Sequence, residues 1–326
     1  MNKIIYLNSG RSALDIGIKL LSLKKNTNIL VPEIICDVVI EILLKNKLKI
    51  IYYKLDNKFR PIWSDLYKKS FNKISCILMV HFFGYPQNLS KFKELTKRKK
   101  IYLIEDNCHS LNISYKGNIL GTNGDIGIDA PRKIISNLYS GGRLFINKGN
   151  NYNFSDIKKY NPNIFERIKM YLKNNFPIFV KKIKFFGNRP NFEYPYLSSS
   201  NDINFSLKLM DQISKNKLDN INLNKESFKR KVIFKRINNF AIKNSIKPLF
   251  RAKANMIPMY FVGVAKNQEH ATKIFDWGWN KNIEIVSWPS FHKNNKLSND
   301  LKKRWSKYVC FPLNQQFLDK WKDELI

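Results

Sequence analysis

Through its first 147 residues the chain sets short, wholly apolar runs against longer amphipathic stretches, in regular alternation. "TNILVP", "LKIIYYKL", "KISCILMVHFFG" up to its exit loop, "IYLIED" and "GRLFIN" show little polar alternation, the pattern of strands covered on both faces. "SALDIGIKLLSL", "CDVVIEILLKN" and "NLSKFKELTKRKK" place apolar residues at helical spacing instead. Apolar strands separated by helices predict an α/β fold with a mostly parallel sheet and helices on both faces. From about residue 150 to 200 the pattern breaks into Asn, Lys and aromatic residues with Pro162, Pro177, Pro190 and Pro195, which reads as an insertion or a domain junction. Beyond it, "DINFSLKLMDQI" and "KESFKRKVIFKRINNFAIKN" have the look of long helices, and "MIPMYFVGVA", "IEIVSWP" and "KYVCFPL" of strands. The expected division is a large domain over 1–215, carrying that insertion, and a small α+β domain over 216–326.

At 326 residues the chain is long enough for both. Its formal charge of +33 attracts polyanions, phosphate-rich ligands or an anionic membrane face. The lysines travel with abundant Asn and Ile, a mixture that AT-biased base composition produces unaided, so the charge does not select a nucleic-acid partner and none is expected. Cys36, Cys76, Cys108 and Cys310 show no paired spacing, which indicates neither a zinc site nor a disulfide framework and fits a reduced cytoplasm. No apolar run reaches membrane-spanning length. In Asn163 to Arg189, Ile164, Ile168, Tyr171 and Leu172 share a helical face amid Lys and Arg. Such a segment can lie on an anionic membrane surface, although helices of this kind more often pack on their own protein, and Pro177 interrupts this one.

Ligands of open α/β sheets collect at the carboxyl ends of the strands. Glu105 and Asp106 end one apolar run, His81 ends another, and "NSGRSAL" opens a helix whose Ser-Gly-x-Ser turn offers N–H groups and hydroxyls to a phosphate, or simply caps the helix. His109 follows three residues after Asp106, and Lys133 sits 27 positions downstream of it, before the Gly141-Gly142 turn. A lysine held near a carboxylate, with a phosphate cradle, is what pyridoxal 5'-phosphate (PLP) requires: an amine for the Schiff base, an acid that keeps the ring nitrogen protonated, and N–H donors for the phosphate. Each residue has a plainer reading. Asp106 could cap the next helix and Lys133 could be solvated. His81 suits a packed, hydrogen-bonded histidine, and His270 and His292 carry no motif.

The order of the pieces discriminates where single residues do not. "NSGRSAL", "ILVPEII", "VHFFGYPQNL", "IEDNCHSL", "YKGNILGTNGDIGI" and "PRKIIS…SGG" resemble the DegT/DnrJ/EryC1/StrS family of PLP-dependent sugar aminotransferases, of fold type I, over about residues 6 to 147, with a weaker match in "SNDINFSLKLMDQI", "SWPSFH" and "KYVCFPLNQQF". The resemblance implies that Lys133 is the Schiff-base lysine, that Asp106 partners the pyridine nitrogen and that His109 lies near the ring oxygen. It places Gly10, Arg11 and Ser12 at the phosphate. Three departures stand out: Asp129-Ala130 where the family has a Phe-Ser pair, Ile34, Ile35 and Cys36 where an aromatic residue stacks on the ring, and Leu197 near Ser198, Ser199 and Ser200 where an Asn reaches across from the second subunit. The implied activity is amino transfer, from glutamate to a keto-sugar linked to a nucleotide diphosphate, in surface-polysaccharide or secondary-metabolite sugar synthesis. Arg11 is then a candidate for the diphosphate, and the implied assembly is a homodimer. The alternative is a catalytically silent or diverged relative with a binding role.

Overall fold

The computed structural model describes residues 3–111, 113–176, 206–251, 258–288, 290–292 and 297–313. Its centre is a seven-stranded sheet ordered β1-β9-β8-β5-β4-β2-β3, formed by β1 (Lys3–Leu7), β2 (Asn28–Pro32), β3 (Lys49–Tyr53), β4 (Ile74–Val80), β5 (Tyr102–Asp106), β8 (Ile126–Asp129) and β9 (Gly142–Ile146). The five strands β3, β2, β4, β5 and β8 run parallel, as the apolar runs predict, whereas β9 lies antiparallel between β8 and β1. Ile29, Leu30 and Val31 of β2, Ile77, Leu78 and Met79 of β4, and Leu103 and Ile104 of β5 are buried, which is why these strands carry no polar face. A ribbon of β6 (Ser114–Tyr115) and β7 (Asn118–Ile119) stands outside the sheet.

The connecting helices are α1 (Gly10–Leu20), α2 (Asp37–Lys45), α3 (Trp63–Tyr67) and α4 (Leu89–Lys99). Buried Asp15 of α1 bonds Lys19 at 2.8 Å and Asn46, just past α2, at 2.8 Å, so a carboxylate under the helices is fully engaged. Register puts Val80, Asp106 and Ile128 side by side across β4, β5 and β8. The carboxylate that ends the "IYLIED" run therefore stands at the carboxyl edge of the sheet.

Within the expected insertion, α5 (Ile164–Asn175) forms with an Asn163/Glu166 capping box but buries none of its residues; Ile168 and Tyr171 are exposed. The expectation that this basic face packs on its own protein is thus not met over Ile164–Asn175. Pro177, Pro190 and Pro195 lie outside the described residues. In "DINFSLKLMDQI", of which the first four residues lie outside the described ones, the middle corrects the helical reading: Lys208, Leu209 and Met210 exchange backbone hydrogen bonds with Tyr6, Asn8, Lys158 and Tyr160. Leu209 bridges Leu7 and Lys159, and the helix α6 (Gln212–Asp219) begins only after Asp211 caps it. Two neighbouring backbones satisfy this segment's N–H and C=O groups, so it has no need of a helix. The expected division at 215/216 falls inside α6.

The remaining elements are α7 (Leu223–Lys243), β10 (Lys247–Pro248), β11 (Tyr260–Val264), α8 (Gln268–Asn280), α9 (Asn299–Trp305) and β12 (Tyr308–Pro312), with an antiparallel sheet β10-β11-β12. The two-residue period of β12 divides it between two cores. Val309 and Phe311 pack with Ile233, Ile237 and Phe240 of α7, while Tyr308 and Cys310 join the core of the large sheet. "IEIVSWP", expected as a strand, pairs among its described residues, 283–288, as a single bridge of Val286 with Cys310.

Candidate active site

The carboxyl ends of β4, β5 and β8 and the N-terminus of α1 enclose a cavity of about 220 Å³, whose walls include Gly10, Arg11, Asp106, His109 and Lys133. Five of the six residues singled out in the sequence thus meet at one place. Ser12 is the exception. It is wholly buried, its N–H bonds Ser9 Oγ at 3.1 Å and its hydroxyl donates to Asn8 at 2.7 Å, while Ser9 lines the cavity. The helix start decides this: the N-cap side chain is the one that faces outward along the axis.

Asp106 is held from behind, its Oδ1 accepting the Cys108 N–H at 2.8 Å. Lys133 closes a short 3-10 turn, Pro131–Lys133, in which proline presets the backbone and the Lys133 N–H bonds Ala130 O at 2.9 Å. Its side chain opens into the cavity. Burial disfavours the Lys133 charge and the nearby Asp106 carboxylate favours it, and the amine stands above the usual lysine value. Burial pushes the Cys36 thiol up to about 11 and Cys108 well above its ordinary value, so both thiols are neutral at physiological pH. Asp106 is then the anion among these neighbours that holds the lysine's proton.

His109 is a neutral donor in this setting. Burial and the nearby Lys133 push its pKa well below the usual histidine value, and its Nδ1 accepts the Phe83 N–H at 3.1 Å, leaving the proton on Nε2. Its ring stacks on Phe83 at 5.6 Å and meets Trp288 edge-on at 4.8 Å. His81 is the packed histidine its position suggested. It is fully buried, Nε2 bonds Glu105 at 2.8 Å and Nδ1 accepts the Gln87 N–H at 3.1 Å. Glu105 takes its other bonds from the Asn123 and Gly124 N–H groups, so it anchors the loop before β8 and faces no ligand.

The protonation of His109 gives a pH dependence whose sign follows directly. A folded pKa below the unfolded value of 6.5 means that, as pH falls through 6.5, the unfolded chain takes a proton the folded chain refuses. Stability present above pH 6.5 is therefore lost on acidification, at up to about 1.4 kcal/mol per pH unit. His270 is also lowered by burial and contributes with the same sign. Urea unfolding at a series of pH values should show a shallower acid slope for His109→Asn than for the wild type, and equal slopes would exclude a neutral His109.

The departures have structural correlates. Asp129 does not face the cavity: it pairs with Arg143 directly across β8 and β9, Nε to Oδ1 at 3.1 Å, and burial still pushes its carboxyl up. Ala130, Ile35 and Cys36 line the cavity where larger or hydroxyl-bearing groups were expected. Trp288 brings the aromatic surface that the residues after β2 lack. Its one sequence sign was its place in "SWPSFH"; a residue that reaches a site from a remote segment leaves no local spacing to read. Leu197 and Ser198–Ser200 lie outside the described residues.

Residues 1–152 match the model of the DegT/DnrJ/EryC1/StrS aminotransferase family. A segment of 121 residues is 27% identical to the GDP-perosamine synthase of Escherichia coli O157:H7, covering 37% of this chain and 33% of that protein. A dTDP-4-dehydro-2,3,6-trideoxy-D-glucose 4-aminotransferase of Saccharopolyspora spinosa is 22% identical over 125 residues, 38% of this chain and 32% of its own length. The chain thus spans about a third of these curated relatives. Among solved structures, the aminotransferase TlmJ of Streptoalloteichus hindustanus superposes with a TM-score of 0.68 at 14% identity, over 97% of this chain and 81% of that one. A Bacillus subtilis protein solved with bound cofactor PMP gives a TM-score of 0.65 at 15% identity, over 97% and 71%. These likenesses establish the fold.

Proposed function

On the premise that residues 1–152 are a DegT/DnrJ/EryC1/StrS aminotransferase segment, we propose that the chain is a PLP-dependent aminotransferase that moves an amino group from glutamate to a nucleotide-linked keto-sugar. The observation that carries this is the meeting of Lys133, Asp106 and the α1 N-terminus on one cavity. The residues fit the cofactor. The first N–H groups of α1 have no partner within the helix, and with Ser9 and the Arg11 guanidinium they offer a phosphate seat at the positive end of the helix dipole. Asp106 stands ready for a protonated ring nitrogen, and the Nε2–H of His109 for a ring oxygen.

Bound there, the cofactor supplies a carbonyl that takes up the amino group and a ring that accepts the electron pair left when the donor's α-proton departs. The protein does the rest. Asp106 holds the ring charge. Once its carboxylate is engaged in that way, the anion that kept Lys133 protonated is neutralised, and Nζ is free to take the α-proton and later to return it; such transfers contribute about 10²–10⁴-fold. Val38, Val39 and Ile42 of α2, with Trp288, keep the wall over the reacting atoms apolar. On this reading the enzyme works in the cytoplasm as a homodimer, the arrangement its resemblance implies, within surface-polysaccharide or secondary-metabolite sugar synthesis.

The test needs only purified protein and PLP. A yellow chain whose absorbance shifts on adding glutamate is the expected result. A colourless chain, saturated with cofactor and unmoved by glutamate, overturns the proposal and leaves a binding role.

A further inference from the structure

Arg230 lies in the first half of α7 and is buried, yet its hydrogen bonds run to the candidate active site. Its guanidinium donates through Nη2 to the Ile134 carbonyl and through Nη1 to the Pro258 carbonyl at 2.9 Å. The first of these acceptors follows Lys133 directly in the chain. The second belongs to a segment that braces the other side of the site: Pro258 bridges Ser110, and the Met259 N–H bonds the His109 carbonyl at 2.9 Å. One planar group therefore joins the backbone that carries the amine to the backbone that supports the imidazole.

The Lys133 turn needs such a donor. The Ile134 and Ile135 N–H groups both bond Pro131 O, at 2.9 and 2.8 Å, and the chain then leaves the turn, so the Ile134 carbonyl has no N–H of a following turn to accept. Ile134 and Ile135 pack with Leu111, Leu138 and Met210, but hydrophobic contact is non-directional and does not fix the angle at which the turn sits. The guanidinium does, because its donors leave in one plane at set directions.

This cation is costly to bury. Among the described residues no carboxylate pairs with it: Glu226, one turn earlier on α7, pairs with Lys229 at 3.5 Å, and burial pushes the Arg230 pKa down to about 10. It remains protonated at neutral pH. Its Nε has no hydrogen-bond partner among the described residues. An apolar side chain of similar volume would fill the space without a buried charge. What it could not do is hold two carbonyls of separate segments at once.

We propose that Arg230 is a positioning residue of the active site, fixing the Lys133 turn against the His109 loop so that amine and imidazole are presented to one ligand. It does not line the cavity and acts through the two carbonyls. The role rests on the reading of Lys133 as the cofactor lysine.

The test is the fraction of bound PLP that a brief borohydride pulse fixes to Lys133 in the full chain, located by peptide mapping, with thermal melting and equilibrium dialysis of PLP alongside. Arg230→Met keeps the packing and loses both bonds; it should fix about tenfold less, since a reacting group displaced by about 1 Å can lose about 10²-fold. Arg230→Lys keeps the charge without the planar fork and should fall between that variant and wild type. PLP held at the proposed phosphate seat should bind within about twofold of wild type in both. Ile233→Val trims a buried side chain one turn further along α7 and is the control for lost stability: it should melt lower and fix cofactor normally. Wild-type fixation in Arg230→Lys together with wild-type fixation in, or no folding of, Arg230→Met overturns the proposal. So does a loss of fixation in Ile233→Val as large as in the Arg230 variants, which would make the effect one of stability alone. Wild type that fixes no PLP on Lys133 instead sinks the cofactor reading and this role with it, a result distinct from wild-type fixation that is indifferent to Arg230.

Discussion

Lys133→Ala is expected to abolish amino transfer and covalent attachment of PLP together, while the phosphate seat at α1 still retains some cofactor without a covalent bond. Lys133 is the sole primary amine among the residues lining the cavity, and the neighbouring Arg132 cannot replace it, because a guanidinium keeps its proton at any working pH. Lys133→Arg should therefore fail as completely as the alanine variant, although it preserves the positive charge beside Asp106. The measurement is borohydride reduction of PLP-saturated wild type followed by peptide mass mapping, with turnover of both variants alongside. Finding the pyridoxyl group on any other lysine, or measurable turnover by either variant, sinks the assignment of Lys133.

Gly142→Ala should cost about 3 kcal/mol or more of stability, an effect at the upper end for a single added methyl. β9 starts where α1 starts: Gly142 pairs with Leu7, and a methyl built on it would lie 2.1 Å from the Ser9 carbonyl carbon, 2.2 Å from its oxygen and 2.6 Å from the Gly10 nitrogen. All three are backbone atoms, so no rotamer change relieves the contact, and the helix start must move. Because that same turn presents the proposed phosphate seat, the variant should also hold PLP less well. Gly117→Ala is the control. Nothing lies within 4 Å of its added methyl, and it suffers only the strain of its φ of +77°, about 1 kcal/mol. If urea unfolding places the two variants at the same midpoint, the crossing of β9 over the α1 terminus is not as close as described.

Both variants probe features that differ in how the sequence records them. Lys133 and Asp106 are legible. Asp106 ends an apolar run that must be a strand, so it must stand at a sheet edge. Lys133 follows the next strand at a spacing that the family order repeats. The parallel strands β2, β4 and β5 are legible for a related reason: burial on both faces forbids polar alternation, and that constraint is written into every residue of "ILVP", "CILMV" and "YLIED". Gly142 was visible as a turn glycine, but nothing local says that Ser9 crosses it.

The same division runs through the rest of the molecule. "DINFSLKLMDQI" has helical spacing, yet Leu209 pairs on both sides because Tyr6–Asn8 and Lys158–Tyr160 happen to offer unpaired backbone there. Ser9 rather than Ser12 faces the cavity through the geometry of one helical turn. Trp288 supplies the aromatic wall from a segment whose only strand-like contact is one bridge. The neutral state of His109 comes from the Phe83 amide and from burial near Lys133. By itself the sequence determined which segments are covered, where the covered strands end, and which amine and carboxylate stand at those ends, since periodicity records the burial of each residue along its own element. Tertiary structure alone decided which remote groups meet there, because a side chain's partners across a cavity depend on how separate elements pack, and packing leaves no period in the chain.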